Sequence, residues 1–171
     1  MTVKIIVAEQ MDLALEGIKA ILSQQNDFEV ISTYQVLDEL LEALGNQRPH
    51  VILLGDRLEP GMDVLLLVER VQSAAPRAKI IVMGSTPDGL IVLDLFAMGV
   101  TGYLYRGDPL SGALIEAIQT VLRKRPYLSP TAHTEYLLAT QTDRAGWQLD
   151  AEGRDVLRLM ANGYRPQEIA R

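Results

Sequence analysis

Five times along this chain, a short apolar run rich in β-branched residues is followed by a segment with the spacing of an amphipathic helix. The runs are Lys4–Ala8, Phe28–Ser32, Val51–Leu54, Lys79–Met83 and Gly102–Tyr105. They are apolar without alternation, the pattern of strands buried on both faces of a parallel sheet covered by helices. Between them, Leu13, Gly17, Ile18, Ile21 and Leu22 mark a first helical stripe, and Val36, Leu37, Leu40, Leu41 and Leu44 a second. Val64, Leu65, Val68 and Val71 mark the third; Leu93, Leu95 and Phe96 the fourth; Leu114, Ile115, Ile118 and Leu122 the fifth. This repeated β-then-α order predicts an α/β domain with a doubly wound five-stranded parallel sheet over residues 1–125.

After Leu122 the pattern changes. Arg123-Lys124-Arg125 places cations at the C-terminal end of the fifth helix, where its dipole favours them, and Pro126 stops it. Residues 126–148 read as a linker with a short helix around Ala132–Ala139 and a loop through 141–146. A last helical pattern begins at Asp150, a good N-cap, and carries Val156, Leu157, Leu159 and Met160 inward, with Gly163 at the capping position.

Composition narrows the chemistry. The chain has 171 residues, no Cys and two His, His50 and His133. Disulfides, thiolate zinc sites, cysteine nucleophiles and histidine-rich metal sites are therefore excluded. A net charge of −6 makes the chain a poor bulk binder of polyanions. The N-terminus lacks the apolar core of a secretory signal, and the richest apolar run, Leu90 to Met98, is broken by Asp94 and too short to span a bilayer. These features predict a cytoplasmic protein with no membrane partner. No Gly-rich phosphate loop, dinucleotide fingerprint or nucleophile elbow is present, so the chain is not expected to be an enzyme.

In a doubly wound sheet the site lies beyond the carboxyl ends of the strands. The first strand delivers Glu9 and Gln10 there, and the third delivers Gly55 and Asp56. The fourth delivers Gly84, Ser85 and Thr86; the fifth delivers Tyr103, Tyr105 and Arg106. Carboxylates with backbone carbonyls and water suit a hard cation such as Mg²⁺. Such an edge could phosphorylate an aspartate, with the cation and Arg106 neutralising charge on the transferring group.

At this point the residues resemble a family. Val7-Ala8-Glu9-Gln10, the run from Asp56 through Pro60-Gly61-Met62-Asp63, and Ala97-Met98-Gly99-Val100-Thr101-Gly102-Tyr103-Leu104 resemble the receiver domain of bacterial two-component response regulators of the LuxR/NarL type. Pro126-Tyr127-Leu128-Ser129-Pro130 is similar to the stretch that follows that domain. Residues 149–171, with Leu149-Asp150-Ala151-Glu152 and Glu168-Ile169-Ala170-Arg171, resemble the first half of a LuxR-type helix-turn-helix. The resemblance implies a flavodoxin-like receiver followed by an α-helical C-terminal segment. Asp56 is then the candidate phosphoacceptor, with Ser85, Arg106 and Gly84 around the phosphoryl group and Glu9 and Asp56 as Mg²⁺ ligands. A sensor histidine kinase and a homodimer are the partners it implies.

Four positions depart from the family pattern. Gln10 replaces one of two adjacent acids, and Gly84 stands where a Thr or Ser bonds the phosphoryl group, with Ser85 one residue later. Arg106 replaces a lysine and keeps its charge but not its shape. Asp56 keeps the family spacing to Pro60, but counted from Pro49 it arrives one residue late and Gly55 takes its place. One register puts Asp56 in the pocket and the other beside it; the length of the following loop favours the first. Glu9 reads either as a Mg²⁺ ligand or as an ion-pair partner of Arg106. The departures predict an atypical receiver with weakened or absent phosphorylation and Mg²⁺ binding. The alternatives are a conventional Mg²⁺-dependent phospho-aspartate receiver and, from another class, a small flavodoxin-like enzyme or ligand sensor.

The fourth helix is more apolar than one buried stripe requires. Leu90, Leu93 and Ala97 fall beside or outside its inward face and, with Tyr103, are candidate interface residues. Tyr103 also matches the aromatic that changes rotamer in active receivers. DNA binding is expected only through a complete C-terminal domain. Residues 126–171 carry five Arg against six acids and stop before any recognition helix, as a fragment of a longer transcriptional regulator would.

Overall fold

Successive residues of a strand point to opposite faces of its sheet, and in this chain both faces are apolar. The computed structural model describes residues 2–141. Its strands β1 (Val3–Ala8), β2 (Phe28–Tyr34), β3 (Val51–Gly55), β4 (Lys79–Gly84), β5 (Gly102–Tyr105) and β6 (Tyr127–Leu128) form one sheet in the order β2-β1-β3-β4-β5-β6. All neighbours pair in parallel. Ile6, Ala8, Ile52, Leu54, Ile80, Val82 and Tyr103 pack into one core with α2 (Leu37–Leu44), α3 (Val64–Ala74) and α4 (Gly89–Ala97). Val3, Ile5, Val7, Val51, Leu53, Ile81, Met83 and Leu104 pack into the other with α1 (Asp12–Leu22) and α5 (Leu110–Leu122). This is the doubly wound, flavodoxin-like arrangement.

The expected five-stranded sheet has six strands. β6 is two residues long, too short to carry a periodic signal, and it forms through backbone bonds at its ends. Tyr127 N donates to Thr101 O and Ser129 N to Tyr103 O, each at 3.0 Å. The hydroxyl of the fully buried Ser129 also accepts from Tyr105 N at 2.9 Å. α6 (Pro130–Gln141) follows at once and, like β6, belongs to the compact unit that ends at Gln141. The expected boundary at 125 is thus corrected: residues 126–141, read as linker, are part of the first unit. The rest of that linker, the Asp150 cap and the helix-turn-helix resemblance of residues 149–171 lie outside the described residues.

The buried faces of all five expected helices differ in part from their stripes: Leu67 in α3, Val92 in α4 and Ala117 and Val121 in α5 are buried beyond those expected. α1 buries Leu15, Ile18 and Leu22, at i, i+3 and i+7, and leaves Leu13 83% exposed. Val36 is the extended residue before α2 and is 46% exposed. α4 and α5 both end in the motif in which the second residue past the helix cap reaches back to the third-last helical carbonyl. Val100 N donates to Leu95 O and Arg125 N to Thr120 O. The left-handed residue is Gly99 (φ 102°) in one and Lys124 (φ 62°) in the other.

Candidate functional site

The alternation that sorts the core also sorts the edge. Continuing Val7, Leu53, Met83 and Leu104 by two residues reaches Glu9, Gly55, Ser85 and Arg106, on the α1/α5 side of the sheet. These residues lie together. Arg106 Nη2 donates to Glu9 Oε2 at 2.5 Å, and Met11 N donates to Glu9 Oε1 at 2.9 Å. Glu9 is 2% exposed, so its charge is matched by a guanidinium and a backbone amide in place of water. Of the two sequence readings for Glu9, the ion pair with Arg106 is the arrangement observed.

Gly55 ends β3 directly beneath this pair. A Cβ built there would lie 2.6 Å from Glu9 Oε2 and 2.9 Å from Arg106 Nη2. The side-chain position that faces both charges therefore belongs to residue 55, where glycine leaves the space to the Glu9–Arg106 pair. Asp56 is one step past that position. Its amide continues the ladder by donating to Met83 O at 3.1 Å, and its carboxylate turns to the end of β4. Ser85 N donates to Asp56 Oδ2 at 2.7 Å and Ser85 Oγ to Asp56 Oδ1 at 2.9 Å. Arg106 Nε stands 3.8 Å from Asp56 Oδ1. Ser85, one residue late by family spacing, does reach Asp56.

Gly84 has a different neighbour. A Cβ at Gly84 would collide with the phenol of Tyr103, which fills the space a side chain would need. The Tyr103 hydroxyl donates to Thr86 O at 2.5 Å, and the residue is 3% exposed. Burial above all, then the carboxylates of Asp56 and Asp88, push its phenol well above the ordinary value, against the opposing pull of Arg106. Tyr103, one of the interface candidates, is therefore a core residue in this structure.

A Mg²⁺ ion would need several free oxygen ligands. Both oxygens of Glu9 and both of Asp56 are engaged by protein donors, Gly55 offers no side chain, and exposed Gln10 brings only a neutral amide. Among the described residues there is no group of three or more Asp, Glu or His able to hold a metal ion. The donor set does not fit Mg²⁺ in this arrangement. No buried side-chain polar atom lacks a partner among the described residues.

Of the remaining interface candidates, Leu90 and Ala97 are exposed on α4 and Leu93 is half-buried. Leu93 shares a helical ridge with Gly89 and Phe96, and it is this ridge that α6 approaches. Gly89 is buried against Glu135 and Ala139, and Phe96 meets Tyr136 with ring centroids 6.1 Å apart. α4 is capped by Asp88, which accepts from Leu90 N and Ile91 N.

Sequence reasoning missed Asp108. Two residues past Arg106, its carboxylate accepts from Thr131 N at 3.0 Å and Thr131 Oγ1 at 2.6 Å. Desolvation raises its pKa, but hydrogen bonds from Ser129 and Thr131 outweigh that, and the net shift is downward. An Asp-Pro pair beside a strand end gave the position its turn; nothing local announced a partner so far along the chain.

No family model matches the chain. It is 26% identical over 177 residues to the oxygen regulatory protein NreC of Staphylococcus epidermidis (strain ATCC 12228 / FDA PCI 1200), covering 98% of this chain and 81% of that protein. Among solved structures, RcsB dimers bound to two parallel DNAs match over 99% of this chain and 82% of theirs, with a TM-score of 0.75 at 19% identity. A two-component response regulator of the LuxR family from Aurantimonas sp. SI85-9A1 matches with a TM-score of 0.75 at 18% identity, over 83% of this chain and all of that one.

Proposed function

We propose that this homologue of receiver-bearing response regulators is the signal-receiving part of a transcriptional regulator, and that it holds its pocket in one state without phosphate. The observation that supports this is the exchange of roles at the end of β3. Gly55 removes the acceptor from the position that faces Glu9 and Arg106, while the next residue supplies a permanent carboxylate to Ser85. Receiver resemblance implies that a phosphoryl group would be met by a hydroxyl after β4 and a cation after β5. Here Ser85 and Arg106 already meet the Asp56 carboxylate, one by two hydrogen bonds and the other at 3.8 Å.

With no side chain at residue 55 and the carboxylates engaged, a sensor histidine kinase would have no free aspartate to load, and Mg²⁺ binding would be weak or absent. We assign the chain no enzymatic chemistry. DNA contact would come through the C-terminal region, and dimerisation is proposed by analogy with RcsB, whose structure is of dimers on DNA. Among the described residues, no helix is long and apolar enough to cross a membrane.

The test is the intact mass of the chain after incubation with Mg²⁺ and acetyl phosphate, compared with Asp56→Asn and Gly55→Asp. No added mass on the wild type supports the proposal. One phosphoryl group on the wild type that is lost in Asp56→Asn overturns it and restores the conventional phospho-aspartate switch. Gain of a phosphoryl group in Gly55→Asp would place the missing acceptor at residue 55.

A further inference from the structure

The seat of α6 is built from contacts that leave little room for adjustment. Gly89, the first residue of α4, lies so close to Glu135 that a Cβ would collide with that residue's backbone carbonyl, and it would stand 2.9 Å from the Ala139 Cβ. Ala132 and Ala139 are buried on the α6 side, and Phe96 and Tyr136 meet as tilted rings. The other hold is at the start of α6, where Asp108 takes both the amide and the hydroxyl of Thr131.

Both holds continue directly from the pocket. Ser85, fixed by the Asp56 carboxylate through two bonds, opens the β4–α4 connection. Thr86 receives the Tyr103 hydroxyl, Asp88 caps α4, and Gly89 touches α6. On the other side Arg106, paired with Glu9, is followed by Gly107 and then Asp108. The two loops that leave the pocket on the β4 and β5 side therefore each end on α6.

We propose that α6 is a latch on α4 whose seat is set by the Asp56 carboxylate, through residues 85–89, with Asp108–Thr131 as the pivot. Seated, α6 covers the Gly89–Phe96 flank of α4; released, it uncovers that flank. The inference rests on reading Asp56 as a permanent internal anion and extends that reading from the pocket to the end of the described chain.

Hydrogen–deuterium exchange on the full chain, resolved by peptide, tests it with Gly89→Val, Asp56→Ala and Thr131→Val. In Gly89→Val, amides of α6 should exchange at least about tenfold faster while β1, β3 and β4 keep their protection. In Asp56→Ala, residues 85–89 and α6 should accelerate together, by about tenfold, the effect of losing a charge-assisted hydrogen bond. Thr131→Val should loosen the start of α6 without loosening residues 85–89. The proposal is overturned if residues 85–89 accelerate in Asp56→Ala while α6 stays as protected as in the wild type, or if Gly89→Val leaves α6 unchanged. Should Asp56→Ala lose its fold, Ser85→Ala breaks one of the same bonds, and the same pair of segments is compared. Phosphoryl transfer to the wild type would end the phosphate-independent reading by mass alone, whereas the link between residues 85–89 and α6 is read only from exchange.

Discussion

Arg106 reaches from the end of β5 across the ends of β4 and β3 to the carboxylate of Glu9 at the end of β1, with Nη2 2.5 Å from Oε2. The partners differ in exposure, 23% for the Arg106 side chain and 3% for Glu9. Removing the cation alone leaves a buried carboxylate with one backbone donor. Arg106→Met should therefore lower stability in urea by about 3 kcal/mol, near the lower end for a broken buried pair. Arg106→Met combined with Glu9→Gln should recover part of that loss. A double variant no more stable than the single would mean that Glu9 is not strained by losing its partner.

Gly84 and Tyr103 share one space, so filling one must move the other. Gly84→Ala should cost about 2–3 kcal/mol by overpacking or turn the phenol outward. Alkaline titration of tyrosine absorbance separates the two results. In the wild type Tyr103 ionises well above the ordinary range, and in an outward arrangement one tyrosine should return towards about 10. Tyr127, whose phenol is pushed up to about 12 mainly by burial and then by Glu116, serves as an internal reference.

The Asp108 carboxyl has a folded pKa below the usual carboxylate value. Such a group adds stability above its unfolded pKa and loses it as pH falls through the folded one. Protection of the start of α6 should thus be level above about pH 4 and decline below it. In Thr131→Val that decline should be shallower, because the hydroxyl partner is gone. An identical profile in both proteins would detach Asp108 from α6.

Lys124 and Gly99 occupy the same left-handed position in the same helix-ending motif. A side chain there crowds the following carbonyl, and glycine avoids this at the cost of a freer unfolded chain. Lys124→Gly should stabilise the protein by about 0.5–1 kcal/mol, and Gly99→Ala should destabilise it by a similar amount. Thermal unfolding of the two variants checks both signs.

The five longer strands and their helices were legible because each carries several apolar residues in register; β1, β3, β4 and β5 are largely buried on both faces, while β2, at the sheet edge, is only partly buried. β6 was not, since its strand character comes from Ser129 and from carbonyls on β5 and not from its own two side chains. Glu9, Ser85 and Arg106 were placed at one edge by the β-then-α order alone. The identity of the pocket position at β3 was harder. Pro49 and Pro60 give counts that differ by one, and the structure divides the edge between them: Gly55 lies against Glu9 and Arg106, and Asp56 against Ser85 with Arg106 3.8 Å away. The Gly89–Glu135 contact had no sequence signal, because a glycine against a carbonyl is a property of two backbones.

The two residues of β6 also decide where this domain can be divided. Ending the chain at residue 125 would leave β5, now second from the end of the sheet, as a bare edge with the Tyr105 amide and the Thr101 and Tyr103 carbonyls without their present partners. Unpaired parallel edges of that kind recruit strands from other molecules. A cut at 125 is expected to give a species more prone to aggregate, whereas a cut at 141 keeps β5 paired and α6 in its seat. The smallest piece of this protein suited to work on its own is set by a strand of two residues.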